Sequence, residues 1–207
     1  MAPPETLPAP PRGSIALWWI GEGPFDESML DPIRGRLAEE YACPVTLGDP
    51  QERPAGTFDP RRGQHASREV LRWLVSRLGP GPGRLMGITD VDLFMPVLTF
   101  VFGEAQLEGR AAVVSSARLV HPDEPAVTAA RLAREAVHEL GHTFGLLHCD
   151  GMDGVGRRAK PCVMSRSASV RAVDGKSLHL CPRCRARYQL LEQDGSHVYR
   201  EHENPHR

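Results

Sequence analysis

The chain has 207 residues, of which 41% are hydrophobic and 25% charged, which is typical of one globular domain of ordinary size. Its 25 lysines and arginines nearly balance its 26 aspartates and glutamates, for a formal net charge of −1. This balance gives no general electrostatic attraction to nucleic acid or to an anionic membrane. No run of the sequence approaches the roughly 18 apolar residues that would suggest a membrane span.

Residues 1–13 contain five prolines before Arg12 and lack the cationic start and apolar core of a secretion signal. We expect them to form a disordered, extended leader. Without such a signal, a cytoplasmic location is the expectation.

The next part of the chain alternates strand-like and helix-like patterns, which indicates a mixed α/β sheet with helices packed on it. The predicted elements are a buried strand over 14–20, a helix over 27–40 that Pro32 must bend or restart, a short strand over 43–47, a loop over 49–63 and an amphipathic helix over 65–78.

Three further strands are predicted over 84–89, 90–106 and 111–120, separated by glycine and proline turns. A strongly helical pattern follows from Pro125 to about residue 144, with Asp123 or Glu124 as its cap. Beyond Gly145 the chain has few core-sized apolar runs, so something other than hydrophobic burial must order it.

The sequence HELGHTFGLLH spans residues 138–148, at the end of the last predicted helix. His138 and His142 are four residues apart, so a helix places both imidazoles on one face. Both can then bind one zinc ion at about 2.0–2.1 Å. Gly145 can end the helix in the left-handed conformation, which lets His148 approach as a third ligand. Three imidazoles leave one position open for water, as in a catalytic zinc site.

Glu139 follows His138 directly, so its carboxylate can lie beside the metal without binding it. There it can accept a proton from a zinc-bound water, whose pKa zinc lowers toward about 7, and pass that proton to a leaving amine. The alternative is a chance HELGH on an amphipathic helix. The further spacing to Gly145 and His148 argues against it.

Four of the five cysteines crowd near this motif, which in a chain without a secretion signal favours metal over disulfides. Cys181 and Cys184 form a C-x-x-C pair, and Cys149 with Cys162 completes a Cys₄ set suited to structural zinc. A redox pair uses the same spacing but normally opens a helix in a thioredoxin-like unit, which this sequence does not suggest. The fifth cysteine, Cys43, is predicted to be a buried, inert thiol.

These residues together resemble the archaemetzincins, a family of metzincin zinc metalloproteases. The resemblance rests on HELGHTFGLLHC, on Cys162-Val163-Met164 and on Cys181-Pro-Arg-Cys184. Residues 87–105 are also similar to a segment of that family, so the likeness covers roughly residues 84–184. It differs in one respect, because twelve residues separate Cys149 from Cys162. That interval is shorter in the family, and the insertion is predicted to form a mobile loop.

The resemblance implies an α/β (α+β) metzincin-like fold, with a mixed twisted sheet, an active-site helix and a zinc-stapled C-terminal segment. It implies a zinc metallopeptidase with two Zn²⁺ per chain and a peptide or protein as substrate. An edge strand within residues 93–119 would bind the extended substrate. The implied roles are catalytic zinc ligands for His138, His142 and His148, catalytic acid/base for Glu139, structural zinc ligands for Cys149, Cys162, Cys181 and Cys184, and the methionine of the turn beneath the zinc for Met164.

The predicted organisation is therefore a leader over 1–13, a single metallopeptidase domain over 14–192 with its Cys₄ zinc segment over 149–184, and a charged tail over 193–207.

Three acidic residues are weaker candidates for a role at a metal site, and each has an ordinary interpretation. Asp90 and Asp92 are expected to cap turns or orient neighbouring groups rather than bind metal. Glu135 could support a zinc ligand, but a solvated helix face is the favoured interpretation.

Two other functions stay open. A zinc-stabilised module that binds proteins or peptides with little turnover would keep the same ligands. A Cys₄ zinc ribbon that binds nucleic acid would use the basic residues near the cysteines, although the balanced net charge disfavours it. Those basic residues are Arg157, Arg158, Lys160, Arg166, Arg183, Arg185 and Arg187.

Overall fold

The structure is a computed structural model that describes residues 13–22, 29–79, 83–150 and 160–193. The predicted leader and tail therefore lie almost wholly outside the described residues. The same is true of most of the insertion between Cys149 and Cys162. The predicted division into leader, domain and tail stays a prediction.

Five strands form the main sheet in the order β2-β1-β5-β8-β7. The first four are parallel to one another, and β7 pairs antiparallel with β8 at the sheet edge. The strands are β1 (Ile15–Ile20), β2 (Val45–Leu47), β5 (Arg84–Thr89), β7 (Gly103–Ala105) and β8 (Ala111–Ser115).

A small second sheet has the order β3-β4-β6, with β3 and β4 antiparallel and β4 and β6 parallel. Its strands are β3 (Phe58–Asp59), β4 (Gln64–Ala66) and β6 (Leu93–Phe94). Five helices complete the described part of the chain: α1 (Asp31–Tyr41), α2 (Ser67–Arg77), α3 (Pro125–Thr143), α4 (Val170–Gly175) and α5 (Pro182–Gln193).

The main sheet has a hydrophobic core on each face. Alternate residues of β1 point to opposite faces, so Leu17 and Trp19 join one core while Trp18 and Ile20 join the other. The first core includes apolar side chains of α1, α3 and the C-terminal segment, and the second includes those of α2. Helix α3 therefore lies between the sheet and the C-terminal segment.

The mixed α/β fold predicted from the sequence is confirmed. The single strand predicted over 90–106 is wrong. The structure places β6 and β7 in different sheets, with an irregular loop over 95–102 between them. Pro96 lies in this loop, and proline cannot donate a ladder hydrogen bond. The chain turns there, where the N–H of Leu98 donates to the oxygen of Met95.

Two helix starts also differ from the predictions. Pro32 lies in the first turn of α1, where its missing N–H costs nothing, so it starts this helix instead of bending it. The helix predicted from residue 65 begins at Ser67, because residues 64–66 pair with neighbouring strands as β4. Glu124 occupies the N-cap position of α3, but its side chain makes no capping hydrogen bond.

No helix among the described residues has the length and apolar character needed to cross a membrane.

The C-terminal segment is joined to α1 by a buried carboxylate. Glu40, at the end of α1, is 1% exposed and accepts hydrogen bonds from the guanidinium of Arg185 and from the N–H of Leu180. Next to it, the hydroxyl of Tyr188 donates to the backbone oxygen of Tyr41 at 2.7 Å. These contacts hold α5 against the first core.

We expect Glu40→Ala to lower the free energy of unfolding by about 3 kcal/mol or more. The buried N–H of Leu180 loses its acceptor, and Arg185 keeps only the backbone oxygen of residue 40. Glu39→Ala is the matched control, since that carboxylate is 64% exposed and forms only a surface ion pair with Arg36. Its loss should cost about 1 kcal/mol or less. Urea denaturation of both variants measures the difference, and similar losses would contradict the role given to Glu40.

Candidate metal centres

Helix α3 carries two of the three predicted histidines and ends as expected. Gly145 has φ +85°, its N–H donates to the oxygen of His142, and the N–H of Leu146 donates to the oxygen of Gly141. Such a left-handed residue reverses the chain direction. His148 therefore comes back toward the face of α3 that carries His138 and His142.

The three histidines lie together, with ring nitrogens within 4.8 Å of one another. Two rings are held by backbone oxygens, because Nδ1 of His138 lies 2.9 Å from the oxygen of Val163 and Nδ1 of His142 lies 2.7 Å from that of Leu146. Each Nδ1 donates its proton there. Each Nε2 then presents a lone pair to the same point.

The distance between these two rings fits zinc. Nε2 of His138 lies 3.2 Å from Nε2 of His142. Two lone pairs at this distance repel unless a cation lies between them. In a tetrahedral site with zinc–nitrogen distances of about 2.0–2.1 Å, neighbouring ligand nitrogens are about 3.3 Å apart. Burial also lowers the pKa of His138 well below its usual range, so that this ring is neutral, as a metal ligand must be.

The third ring has a different neighbour. His148 is exposed, and its Nδ1 accepts a hydrogen bond from Nε of Arg166 at 3.1 Å. A neutral ring that binds metal through Nε2 carries its proton on Nδ1, so Arg166 would then have to turn away. Arg166 is itself exposed, and its long side chain can rotate at little cost.

Glu139 is 7% exposed and packs against the edge strand β7. A Cβ at Gly103 would lie 2.6 Å from Cγ of Glu139 and 2.6 Å from the backbone oxygen of Val113. Only glycine at this position lets the carboxylate lie so close to the strand. Burial, followed by the charge of Glu135, raises the pKa of the Glu139 carboxyl well above its usual range, and Lys176 acts in the opposite direction.

The four predicted cysteines also lie together, with sulfurs within 4.8 Å of one another. Sγ of Cys149 lies 3.8 Å from Sγ of Cys181, and all five cysteines are free thiols. Zinc–sulfur distances of about 2.3 Å in a tetrahedron put neighbouring sulfurs about 3.8 Å apart. A hydrogen bond from Cys184 lowers the pKa of Cys162 below that of an ordinary thiol, which favours the thiolate form that binds metal.

The histidine and cysteine groups share the same stretch of backbone. Cys149 directly follows His148, and its N–H donates to the oxygen of Met164 at 3.0 Å. Met164 is fully buried and stands two residues after Cys162, next to the Val163 that holds His138. The backbone around Cys149 and Cys162 therefore links the cysteines directly to the residues that contact His138.

The weaker candidates from the sequence have defined surroundings in the structure. Asp90 and Asp92 orient neighbours, as expected, through hydrogen bonds to Arg53 and Arg118. Cys43 is half-buried, and burial raises its pKa to about 11, which agrees with an inert thiol. The solvated position favoured for Glu135 is wrong, because this residue is 3% exposed.

A cavity of about 460 Å³ connects the histidines to the sheet edge. Its walls come from α3, from residues 166–168 after Met164 and from residues 95–105, which include β7. Sequence reasoning did not find Arg166, Gly103 or Lys176 as parts of this region. Only their positions in the folded chain bring them there.

Comparisons with known proteins agree with this arrangement. The model of peptidase family M54 matches residues 83–190. The archaemetzincin of Methanopyrus kandleri is 44% identical over 165 residues, which are 79% of this chain and 88% of that protein. The crystal structure of archaemetzincin from the same organism aligns with a TM-score of 0.75 and 34% identity, over 89% of this chain and 98% of that one. A zinc-dependent peptidase from Methanocorpusculum labreanum aligns with a TM-score of 0.70 and 26% identity, over 84% and 99%.

The fold, the two ligand groups and these matches define a zinc metallopeptidase. The chain belongs to peptidase family M54, the archaemetzincins, as the sequence resemblance predicted.

The contact between α3 and Met164 gives a test of this packing. A Cβ at Gly141 would lie 2.6 Å from Sδ and 3.0 Å from Cε of Met164. We expect Gly141→Ala to destabilise the protein by about 1–3 kcal/mol, because the filled core has no room for another methyl group. The change is measured by urea denaturation.

Gly35→Ala in α1 is the matched control, since nothing lies within 4 Å of a Cβ at that position. There the better helix propensity of alanine should stabilise the protein by about 0.5–1 kcal/mol. Effects of the same sign in both variants would show that Gly141 is not packed tightly against Met164.

Proposed function

We propose that this protein hydrolyses peptide bonds at a zinc ion held by His138, His142 and His148, with Glu139 as general base. We further propose that a second, structural zinc is held by Cys149, Cys162, Cys181 and Cys184. The observation that carries the proposal is the separation of 3.2 Å between Nε2 of His138 and Nε2 of His142, beside the buried carboxylate of Glu139. The sulfur separation of 3.8 Å supports the second ion.

Zinc bound by the histidines would polarise the scissile carbonyl and acidify the attacking water. Glu139 would accept the proton of that water and deliver it to the nitrogen of the departing amine. Gly103 supports this role because it lets the Glu139 side chain lie directly against β7. The backbone oxygens of Val163 and Leu146 would keep the ligand rings oriented during the reaction.

The substrate would bind along β7 as an additional strand. β7 is at the edge of the main sheet and borders the cavity that contains the histidines and Glu139. An extended peptide that adds to such an edge forms main-chain hydrogen bonds with it, which do not depend on the peptide sequence. This geometry favours a peptide or an unfolded protein segment as substrate.

Met164 would be the methionine of the turn beneath the zinc. Its side chain is fully buried against Gly141 of the active-site helix, so it would act by packing and not by binding metal.

A cytoplasmic location and the absence of nucleic-acid binding stay predictions from the sequence.

The central test is Glu139→Gln, which keeps the shape of the side chain and removes its basicity. We expect hydrolysis of a diverse peptide library to fall at least about a hundredfold, since general base catalysis typically contributes that much. Zinc content, measured by elemental analysis, should stay equal to that of the wild type. Glu39→Gln, on the exposed face of α1, is the control for loss of one carboxylate.

Retained hydrolysis in Glu139→Gln would contradict the proposed base. No cleavage by either protein at equal zinc content would instead favour the zinc-stabilised binding module. Wild-type cuts that disappear in the variant would support the peptidase and identify its preferred sequences.

The shared backbone of the two ligand groups predicts that they are coupled. We expect Cys181→Ser to lose the structural zinc and also to weaken zinc binding at the histidines. The loss would free the segments that contain Cys149 and Cys162, and these position His148 and Met164. Elemental analysis counts the ions, and competition with a chromophoric chelator measures the affinity of the remaining site.

Cys43→Ser is the matched control, because this cysteine lies outside the cluster of four. It should leave two ions per chain with unchanged affinities. If Cys181→Ser lost one ion while the other kept wild-type affinity, the two sites would be independent and the coupling would be wrong.

A further inference from the structure

The cavity contains a buried carboxylate that the proposed reaction does not use. Glu135 precedes His138 by three residues and Glu139 by four, so a helix places all three on one face. It is 3% exposed, and it lines the cavity together with Ser167 and Ala168. It makes no hydrogen bond to the rings of His138 or His142, whose Nδ1 atoms are held by backbone oxygens.

The partners of Glu135 leave one side of its carboxylate available. Nζ of Lys176 lies 3.0 Å from Oε1, and the hydroxyl of Ser167 donates to the same oxygen at 3.3 Å. Lys176 is 1% exposed and is not among the described residues that line the cavity. The ammonium group therefore lies behind the carboxylate, while the carboxylate itself faces the cavity.

Stability alone gives little reason for this arrangement. A buried ion pair loses the hydration of both charges, and well-packed apolar residues of the same volume stabilise a protein equally well or better. The pair does connect α3 to the end of α4, but an apolar contact could do the same. A carboxylate kept at the wall of a substrate cavity is instead suited to recognise a hydrogen-bond donor.

We propose that Glu135 is a specificity-determining residue, which binds the cationic end of a substrate lysine or arginine next to the scissile bond. This inference rests on the proposed function. An ionised carboxylate has about four acceptor positions, and the two hydrogen bonds above use only Oε1. A substrate ammonium or guanidinium can form a charge-assisted hydrogen bond to Oε2, which is stronger than a neutral one.

The surroundings agree with a long basic side chain. Ala168 and Phe100 line the same cavity and offer apolar surface to its methylene groups. Three carboxylates line the cavity, those of Glu104, Glu135 and Glu139, against one cationic side chain, Arg166. This balance favours a basic substrate side chain over an acidic one. Before a substrate binds, the positive charge of Lys176 balances the negative charge of Glu135. The protein therefore does not bury an unpaired carboxylate while the cavity waits for a substrate.

A pair of amino-acid hydroxamates tests the proposal by binding alone. Lysine hydroxamate and norleucine hydroxamate share the zinc-binding group and the straight side chain and differ in the terminal ammonium. We expect the zinc-loaded wild type to bind the lysine compound at least about tenfold more tightly, because of one charge-assisted hydrogen bond. In Glu135→Gln the ratio of the two dissociation constants should fall to within about twofold. Isothermal titration calorimetry measures both constants.

Equal affinities in the wild type would overturn the proposal. So would a Glu135→Gln variant that binds both compounds more weakly by the same factor, since a purely structural role predicts that result. Lys176→Met gives a second test. There the ligand ammonium can replace the lost partner of Glu135, so the preference for lysine should increase.

This experiment also separates the two proposals, because hydroxamate binding needs no turnover. If no peptide is cleaved but the lysine compound binds preferentially, the proposed hydrolysis is wrong and the recognition by Glu135 stands. If peptides are cleaved without preference for a basic residue on either side of the bond and the two affinities are equal, only the role of Glu135 is wrong.

Discussion

Four cysteine sulfurs lie within 4.8 Å of one another in a part of the chain that has few large apolar side chains. Their convergence brings together the segment after α3, the segment around Met164 and the start of α5. Negative charge at such a cluster is unfavourable in a protein interior unless a cation balances it. A zinc ion there would replace the hydrophobic burial that the sequence does not supply. The position of His148, one residue before Cys149, would then depend on the cluster.

The histidines are oriented by the same segment. The turn that contains Met164 accepts a hydrogen bond from His138 through Val163 and one from the N–H of Cys149. The backbone therefore holds ligand rings and ligand thiols in one network. On the other side of the site, Gly103 of β7 permits the close approach of Glu139. Main-chain oxygens hold the rings of His138 and His142, so short local motifs are enough to orient these two ligands.

This dependence also explains what could be predicted from the sequence. His138, His142 and Gly145 lie on one helix and its end, so their spacing alone fixes their relative positions. Glu135 shows the limit of this reasoning. Nothing in the local sequence distinguishes it from a glutamate on an exposed helix face. In the folded chain it is buried and paired with Lys176, which is 41 residues away. The single strand expected over 90–106 was wrong for a similar reason, because the two halves pair with partners from different sheets.

The most direct test of the two proposed zinc sites is the position of metal in a crystal of the zinc-loaded protein, measured by anomalous diffraction on both sides of the zinc absorption edge. We expect two zinc peaks per chain. One should lie between Nε2 of His138, His142 and His148, beside Glu139, and the other at the centre of the four cysteine sulfurs. A histidine site without zinc, or a cysteine cluster joined by disulfides, would contradict it.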